Sequence, residues 1–283
     1  MIRGLYTSAL GMINNMRRMD VTTNNMANAD TTSFKRDHVV SHQFTELVMH
    51  RLNDPWNMPG PRLFMSTPIG PVAPGVFVDD VFTDWTNGPM RYTGSAFDVA
   101  FSGPPPVDAA ARSHVGFFTV QLLNGETVFT RDGTFTQGTD PEDGSLRLLT
   151  VTGHRVMGEN GPITLPEPMG ELVIQDSGRV YARMLQPGGE WALQYIDTLA
   201  LTSFTDLHTL RKMENNFFRT TADSVPMAFE GRVNQGFLEN SNVNSVNEMV
   251  QMIVNSRAFE TNSRILTVQD QTLQRAVNDI AGR

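Results

Sequence analysis

The sequence predicts an α+β protein. Long N- and C-terminal helices pair in a coiled-coil-like bundle, with a central all-β, hairpin-rich domain and an extended Pro-rich connector between them. Three observations predict it. Ile2, Leu5, Ala9, Met12, Met16, Met19, Thr23 and Met26 recur at alternating spacings of three and four, the seam of a heptad helix. Near the other end Met252, Phe259, Leu266, Leu273 and Ile280 stand seven apart, and Met249, Ile253 and Val277 widen that column. Between the two stripes the apolar period drops to two and is broken by Gly-containing turn pairs. An isolated helix of such length is marginal in water, so each stripe needs something packed against it, and the other stripe is the nearest candidate.

Taken in order, residues 1–36 form the N-terminal helical segment, whose helix ends near Asn28 because Asn tolerates the left-handed turn at a helix C-terminus. Asp30, Thr31, Thr32 and Ser33 read as a turn. Residues 37–75 are the connector, opening with a short helix over residues 40–52 that places Phe44, Leu47 and Val48 on one side. Pro55, Pro59, Pro61, Pro68, Pro71 and Pro74 then exclude a helix and any central strand over 53–75.

Residues 76–239 are the β-rich domain. Phe118, Val120 and Leu122 alternate up to Asn124-Gly125, a short hairpin signal followed by Val128 and Thr130. Asp132-Gly133, Asn160-Gly161, Ser177-Gly178 and Gly188-Gly189 mark further turns between short apolar runs, the pattern of a barrel or sandwich of hairpins. Pro104-Pro105-Pro106 opens a surface insertion that runs to about His114. Residues 240–283 complete the chain. Ser245-Val246-Asn247-Glu248 has capping-box spacing and starts a helix that runs to about Ile280, with Glu260 and Arg264 an i,i+4 pair.

Composition narrows the function classes. A net charge of −8, with 22 basic against 30 acidic residues, lacks the basic face that phosphate neutralisation needs, so nucleic acid is not the expected partner. Without cysteine neither a disulfide framework nor a thiolate metal site can form. Nowhere do 18 consecutive apolar residues suggest a membrane span, and Asn14, Asn15, Arg17 and Arg18 interrupt what would be the apolar core of a signal peptide.

Catalytic signals are poor. His38 and His42 are four apart, a spacing that could hold a metal on a helix, but no third ligand is tied to them and a solvated face explains them. Asp79, Asp80 and Asp84 could be imagined as an acid/base group, yet acidic residues beside Gly and Pro are ordinary turn formers. No GxSxG, Walker-type or dinucleotide fingerprint is present. Catalytic, cofactor and metal residues are therefore assigned to none.

The helices carry more. Gly4 and Gly11 lie seven apart on a column beside the Leu5/Met12 seam, and each glycine costs about 0.8–1 kcal/mol against alanine in a helix interior. Close approach of a neighbour would explain them. Methionines at 12, 16, 19 and 26 suit either plain core or neighbours that are not strictly equivalent.

Several segments resemble a known family. MIRGLYTSALGM…TTNNMANADTTSFKRD resembles the start of bacterial flagellar axial proteins, above all the rod proteins and their hook relatives. GFLENSNVNSVNEMVQMIVNSRAFETNSRILTVQDQTLQ is similar to their closing segment, and YTGSAFDVAFSG, GFFTVQLLNGETVFTRDGTFT and GHRVMGENGPITLP to their β domain. The chain departs from the pattern in the Pro-rich stretch 52–75, in the insertion 104–115, and at Ser33, where the family usually has glycine.

The resemblance implies a structural subunit of the basal-body rod that stacks helically with its own copies and meets other rod and hook proteins. It also implies exit through the flagellar type III export apparatus without a cleaved signal, no cofactor and no membrane insertion. On the N-terminal signature it puts Asn24, Asn25, Ala27, Asn28, Thr32, Phe34 and Lys35. On the C-terminal signature it puts Gly236, Asn240, Ser241, Asn242, Val243, Asn244, Arg257, Phe259 and Asn262. Residues expected to pack subunits are Leu5, Gly11, Met12, Met16, Met19, Asn25, Asn28, Phe34, Asn242, Met252, Arg257, Phe259, Leu266 and Leu273. The rival readings are a hook-type axial protein, a wall-degrading hydrolase, and a secreted β-rich adhesin or wall-binding module. Wall hydrolysis would mark the second, and binding that survives loss of both helices the third.

Overall fold

The computed structural model describes residues 2–45, 47–52, 66–72, 75–103, 115–141, 143–167, 169–185, 191–229 and 231–281. The Gly188-Gly189 turn, most of the Pro-rich stretch and the 104–114 insertion lie outside them. The chain divides into two compact units. The first holds Met1–Met26, Asp37–Phe82 and Ser245–Arg283, and the second Ala27–Arg36 and Thr83–Asn244.

The first unit contains α1 (Ile2–Ala27) and α2 (Ser245–Ala281). It also contains β1 (Asp37–Gln43), β2 (Leu47–Leu52), β3 (Ser66–Val72) and β4 (Val76–Thr83). β1 pairs with β4 and β2 with β3, as separate two-stranded sheets. The expected short helix over 40–52 is therefore replaced by strands. Phe44, Leu47 and Val48 matched a helical spacing over too few residues to exclude an extended chain. Val39 and Val40 are β-branched and favour the pleat, and just past the end of β1 the Phe44 ring packs on Phe77 of β4 with centroids 4.9 Å apart. Pro68 and Pro71 sit in β3, which as one half of a two-stranded ribbon can do without their missing donors.

The predicted fold class also needs correction at the helices. The described residues hold two α-helices beside a large β body, and the helices do not meet through the hydrophobic seam of a coiled coil. A side chain added at Gly4 would run into Gln269, and a Cβ at Gly11 would lie 2.8 Å from Asn262 Nδ2. Further along, Asn25 Nδ2 donates to Glu248 at 3.4 Å. Steps of seven and then fourteen up α1 (4, 11, then 25) match equal steps down α2 (269, 262, then 248), so the helices run antiparallel. The residues that meet are glycine and amide or carboxylate. Hydrophobic spacing alone does not reveal whether a stripe is buried by its own chain, and that is why the sequence put the seam one position away.

The second unit opens with β5 (Met90–Tyr92) and β6 (Val99–Ser102). The main sheet then begins with β7 (Phe117–Gln121) and β8 (Thr127–Thr130), the hairpin expected at Asn124-Gly125, where Gly125 takes φ +85. β9 (Phe135–Thr139), β10 (Leu146–Thr150), β11 (Arg155–Gly158) and β12 (Gly161–Pro162) follow. A three-stranded antiparallel sheet is built from β13 (Met169–Ile174), β14 (Arg179–Leu185) and β15 (Trp191–Thr198). β16 (Leu201–Phe204), β17 (Leu210–Lys212), β18 (Phe217–Thr220) and β19 (Pro226–Ala228) return to the main sheet. β20 (Arg232–Gln235) pairs with β6, and β21 (Phe237–Glu239) with β5.

Two aromatic-rich clusters fill this unit. Phe118 packs with Val99, Phe101 and Phe135, whereas its neighbour Phe117 packs with Phe204, Phe218 and Val115. A strand buried on both faces shows no strict alternation, hence the adjacent phenylalanines of β7. Asp132-Gly133 is not a hairpin turn, because β8 and β9 are not neighbours. Gly133 instead lies against the Val99 carbonyl, too close for any side chain.

Candidate functional site

The signature residues at the two ends of the β body fold against one another. Ser33, at φ +55, donates its amide to the Glu239 carbonyl at 2.7 Å. Asn242 Oδ1 accepts from the Arg36 amide at 2.8 Å, and its Nδ2 donates to the Asp84 carbonyl at 2.9 Å. Asn216 Nδ2 donates to the Thr32 carbonyl at 3.1 Å, and the Lys212 ammonium lies 3.7 Å from the centroid of the buried Phe34 ring. Asn28 accepts from Thr31 through its backbone and side-chain oxygens.

Beneath this knot lies a buried ionic cluster. Lys35 is 0% exposed and its Nζ donates to Glu239 Oε1 at 2.6 Å and to the Thr86 carbonyl at 2.7 Å. Arg131 donates to Glu239 Oε2 at 2.6 Å and to the Gly116 carbonyl at 2.9 Å. Each hydrogen-bonding group in the cluster has a partner of opposite character, the condition under which buried charge is tolerated. Burial, with Arg131 next, lowers the Lys35 ammonium from 10.5 to about 8, and Glu239 pulls it back only in part. Burial would by itself raise Glu239, but Arg131 and Lys35 outweigh it and hold the carboxyl below its usual range.

The sequence missed this cluster because Lys35 and Glu239 are 204 positions apart. The signal that could have found it was a lysine inside one signature and a glutamate inside the other.

In the first unit α1 is fastened to β1 by polar side chains. Ser41 Oγ donates to Asn14 at 2.8 Å, and Asn25 exchanges two hydrogen bonds with the Asp37 backbone at 2.9 and 3.0 Å. Of the residues expected to pack subunits, Asn25 is buried within the chain, while Phe34 and Asn242 belong to the knot described above. Leu5, Gly11, Met12, Met19, Met252, Phe259, Leu266 and Leu273 are half-buried, and Met16 and Arg257 are exposed. The outer side of α2 also exposes Val246, Met249, Val250, Ile253 and Val268.

The candidate catalytic groups have local uses. His42 Nε2 lies 3.4 Å from Asp79 on an exposed surface, Asp80 accepts from the Val81 amide, and Asp84 pairs with Arg36 at 2.9 Å. Burial works against the Asp84 carboxylate, yet hydrogen bonds from Thr86 and the Arg36 guanidinium outweigh it and lower its pKa. Among the described residues no three His, Asp or Glu gather as a metal-holding group, and no helix is long and apolar enough to cross a membrane. A shallow depression lined by Leu122, Asn124, His154, Lys212, Glu214 and Phe217 offers neither a hydroxyl nor a thiol nucleophile in its lining.

Comparison with known proteins matches three family models along the chain. Residues 5–35 match the family model described as "Flagella basal body rod protein". Residues 114–182 match "Flagellar hook protein FlgE/F/G D1 domain", and 234–279 match "Flagellar basal body rod FlgEFG protein C-terminal". The flagellar basal-body rod protein FlgG of Buchnera aphidicola subsp. Schizaphis graminum is 30% identical over 284 residues, covering 97% of this chain and 98% of that protein. FlgF of Caulobacter vibrioides is 31% identical over 270 residues, covering 94% and 93%. FlgG of Agrobacterium fabrum is 28% identical over 278 residues, covering 95% and 96%.

Proposed function

The chain belongs to the family of flagellar basal-body rod proteins, and on that premise we propose that it is a structural subunit of the rod, located in the basal body. It works by packing, together with further copies of itself and with other rod and hook proteins. It transmits torque rather than turning over a substrate, needs no cofactor, and reaches its place through the flagellar type III export apparatus.

The single observation that carries the packing reading is the outward apolar side of the helices. Val250 and Ile253 on α2 and Ile13 on α1 are each more than half exposed. On α2 Val246, Val250, Ile253 and Val254 each lie about one turn or less from the next and are all exposed, and clustered exposed apolar side chains are characteristic of sites that meet another protein. Head-to-tail contacts of this kind that do not close a ring give open helical filaments. Met16 and Arg257 take part directly in the packing, and the half-buried Met12, Met252, Phe259 and Leu266 line its edge. Asn25, Asn28, Phe34 and Asn242 act earlier, by shaping the protomer that packs.

The experiment is Ile253→Asp, supplied to cells lacking the wild-type chain. An exposed substitution should leave monomer stability within about 0.5 kcal/mol, while rods fail to assemble and motility is lost. Normal motility with a normal basal body would overturn the assignment of α2 to subunit packing.

A further inference from the structure

The three-stranded sheet of β13, β14 and β15 has two edges that the chain treats differently. Along β13 the Gln235 side chain stands in for a missing strand. Its Oε1 accepts from the Ile174 amide at 3.0 Å, and its Nε2 donates to the Leu172 carbonyl at 2.7 Å. β15 has β14 on one side, and among the described residues no strand pairs with its other side. Every second residue of such a strand turns its backbone N–H and C=O outward, which makes a template for another chain.

Natural edges are blunted with lysine, proline or a bulge. The run Trp191-Ala192-Leu193-Gln194-Tyr195 holds no lysine, no proline and no charge. Its register against β14 is regular from Trp191, opposite Leu185, to Tyr195, opposite Tyr181. The bulge comes only after it, at Ile196, before Asp197 pairs with Val180. Leu193 is thus the midpoint of the open run. Trp191, Leu193 and Tyr195 share one face of the strand and are 52%, 59% and 47% exposed. The Tyr195 ring packs on Tyr181 at 5.6 Å, and the Trp191 ring reaches over to β13, into the place a side chain at Gly170 would take.

We propose that two copies of this chain pair edge to edge through β15, antiparallel about a two-fold axis at Leu193.

The strand is complementary to itself in that register. Trp191 meets Tyr195 of the second copy, Leu193 meets Leu193, and Ala192 meets Gln194, so the aromatic pair forms twice and no charge faces a charge. Such reciprocity is what an isologous interface requires. A slip of one residue would set Leu193 opposite Gln194 and turn one aromatic face away from the other. A slip of two would run past Trp191 or into the Ile196 bulge. So short a contact belongs with the weak, transient interfaces. Copies related by a two-fold axis point in opposite directions, so on the rod reading above this pairing is separate from the head-to-tail stacking of the helices.

The chain has no cysteine, so single introduced cysteines read the pairing directly. Opposed residues of an antiparallel pair lie about 4.5–5.5 Å apart at Cα, within disulfide reach. In the full chain with oxidised glutathione, Leu193→Cys should give disulfide-linked dimers about tenfold faster than Leu123→Cys. Leu123 is similarly exposed, at the β7–β8 hairpin. Trp191→Cys and Tyr195→Cys should each link slowly alone and fast when mixed in equal amounts. Equal rates at 193 and 123, or a mixture no faster than its parts, would overturn the proposal. Leu193→Lys sets like charges opposite each other at the axis. It should abolish association of the β bodies in sedimentation while leaving the protomer folded and cells motile. Loss of motility with a folded Leu193→Lys chain would assign β15 to the contacts of the rod itself and overturn the two-fold pairing.

Discussion

In the β body Phe117, Phe118, Phe204 and Phe218 are each at most 1% exposed, whereas on α2 Val246, Ile253 and Val277 are each more than half exposed. The same contrast holds for polar side chains. Those most deeply buried on the helices, among the described residues, are Ser8, Thr22, Asn25, Glu248 and Asn255, all polar, while several large apolar side chains of α2 stand exposed. A β body that buries its own aromatics has its stability inside one chain. A helix pair that meets through glycine and amides, with isoleucine and valine outside, has its largest hydrophobic gain still to make. The two regions are thus suited to different stages, one to folding and the other to assembly.

The largest effect should come from breaking the self-sufficient region. Phe118→Ala removes a ring packed at 4.4 Å from Phe101 and 5.2 Å from Phe135. A loss of about 3–5 kcal/mol is expected from chemical denaturation. A loss no greater than that of an exposed α2 substitution would erase the distinction between the regions.

Next in size is Glu239→Gln. It leaves Lys35 and Arg131 buried without their shared anion, and removing one partner of a buried charged group costs about 3–5 kcal/mol. Because Gly88 and the Lys35 donor can still reach an amide oxygen, we expect the low end of that range. Thermal unfolding near neutral pH would measure it, and an unchanged Tm would mean that the cluster adds nothing to stability.

A smaller effect sharpens the contrast from the helix side. Gly11→Leu raises intrinsic helix propensity by up to about 1 kcal/mol, but its Cβ would stand 2.8 Å from Asn262 Nδ2. Overpacking costs about 1–3 kcal/mol. The expected outcome is a more helical isolated α1 peptide together with faster proteolysis of the α1 region in the full chain. Slower proteolysis would show that Asn262 yields freely and that the glycine is not there for contact.

The two regions also differ in how far the sequence reveals them. The terminal helices follow from their heptads, with observed bounds within a residue or so of those expected, and the column Met252, Phe259, Leu266 and Leu273 is the shielded side of α2. The Asn124-Gly125 hairpin is equally direct. The companion column Glu248, Asn255, Asn262 and Gln269 also repeats every seven residues, yet a search for apolar residues passes over it. The strands over 37–52 were hidden because a five-residue window fits both periods. The ionic cluster was hidden because pairing across 204 residues leaves no local pattern.

Smallest, and opposite in sign, is Ser33→Gly. Ser33 holds φ +55 among the described residues of a turn that closes on Glu239. A non-glycine residue there costs about 1–2 kcal/mol of backbone strain. Its hydroxyl returns little, since the bond from Oγ to the Glu239 carbonyl is 3.4 Å long. Glycine removes the strain but adds freedom to the unfolded chain, which offsets part of the gain. A net stabilisation of about 0.5–1 kcal/mol is expected, read as a rise in Tm, with Ser33→Ala giving none because alanine keeps the strain and loses the hydroxyl. Equal effects of glycine and alanine would place the cost in the side chain rather than the backbone. The turn that carries Lys35 into the β body uses a left-handed residue, and this chain meets that need with a strained serine.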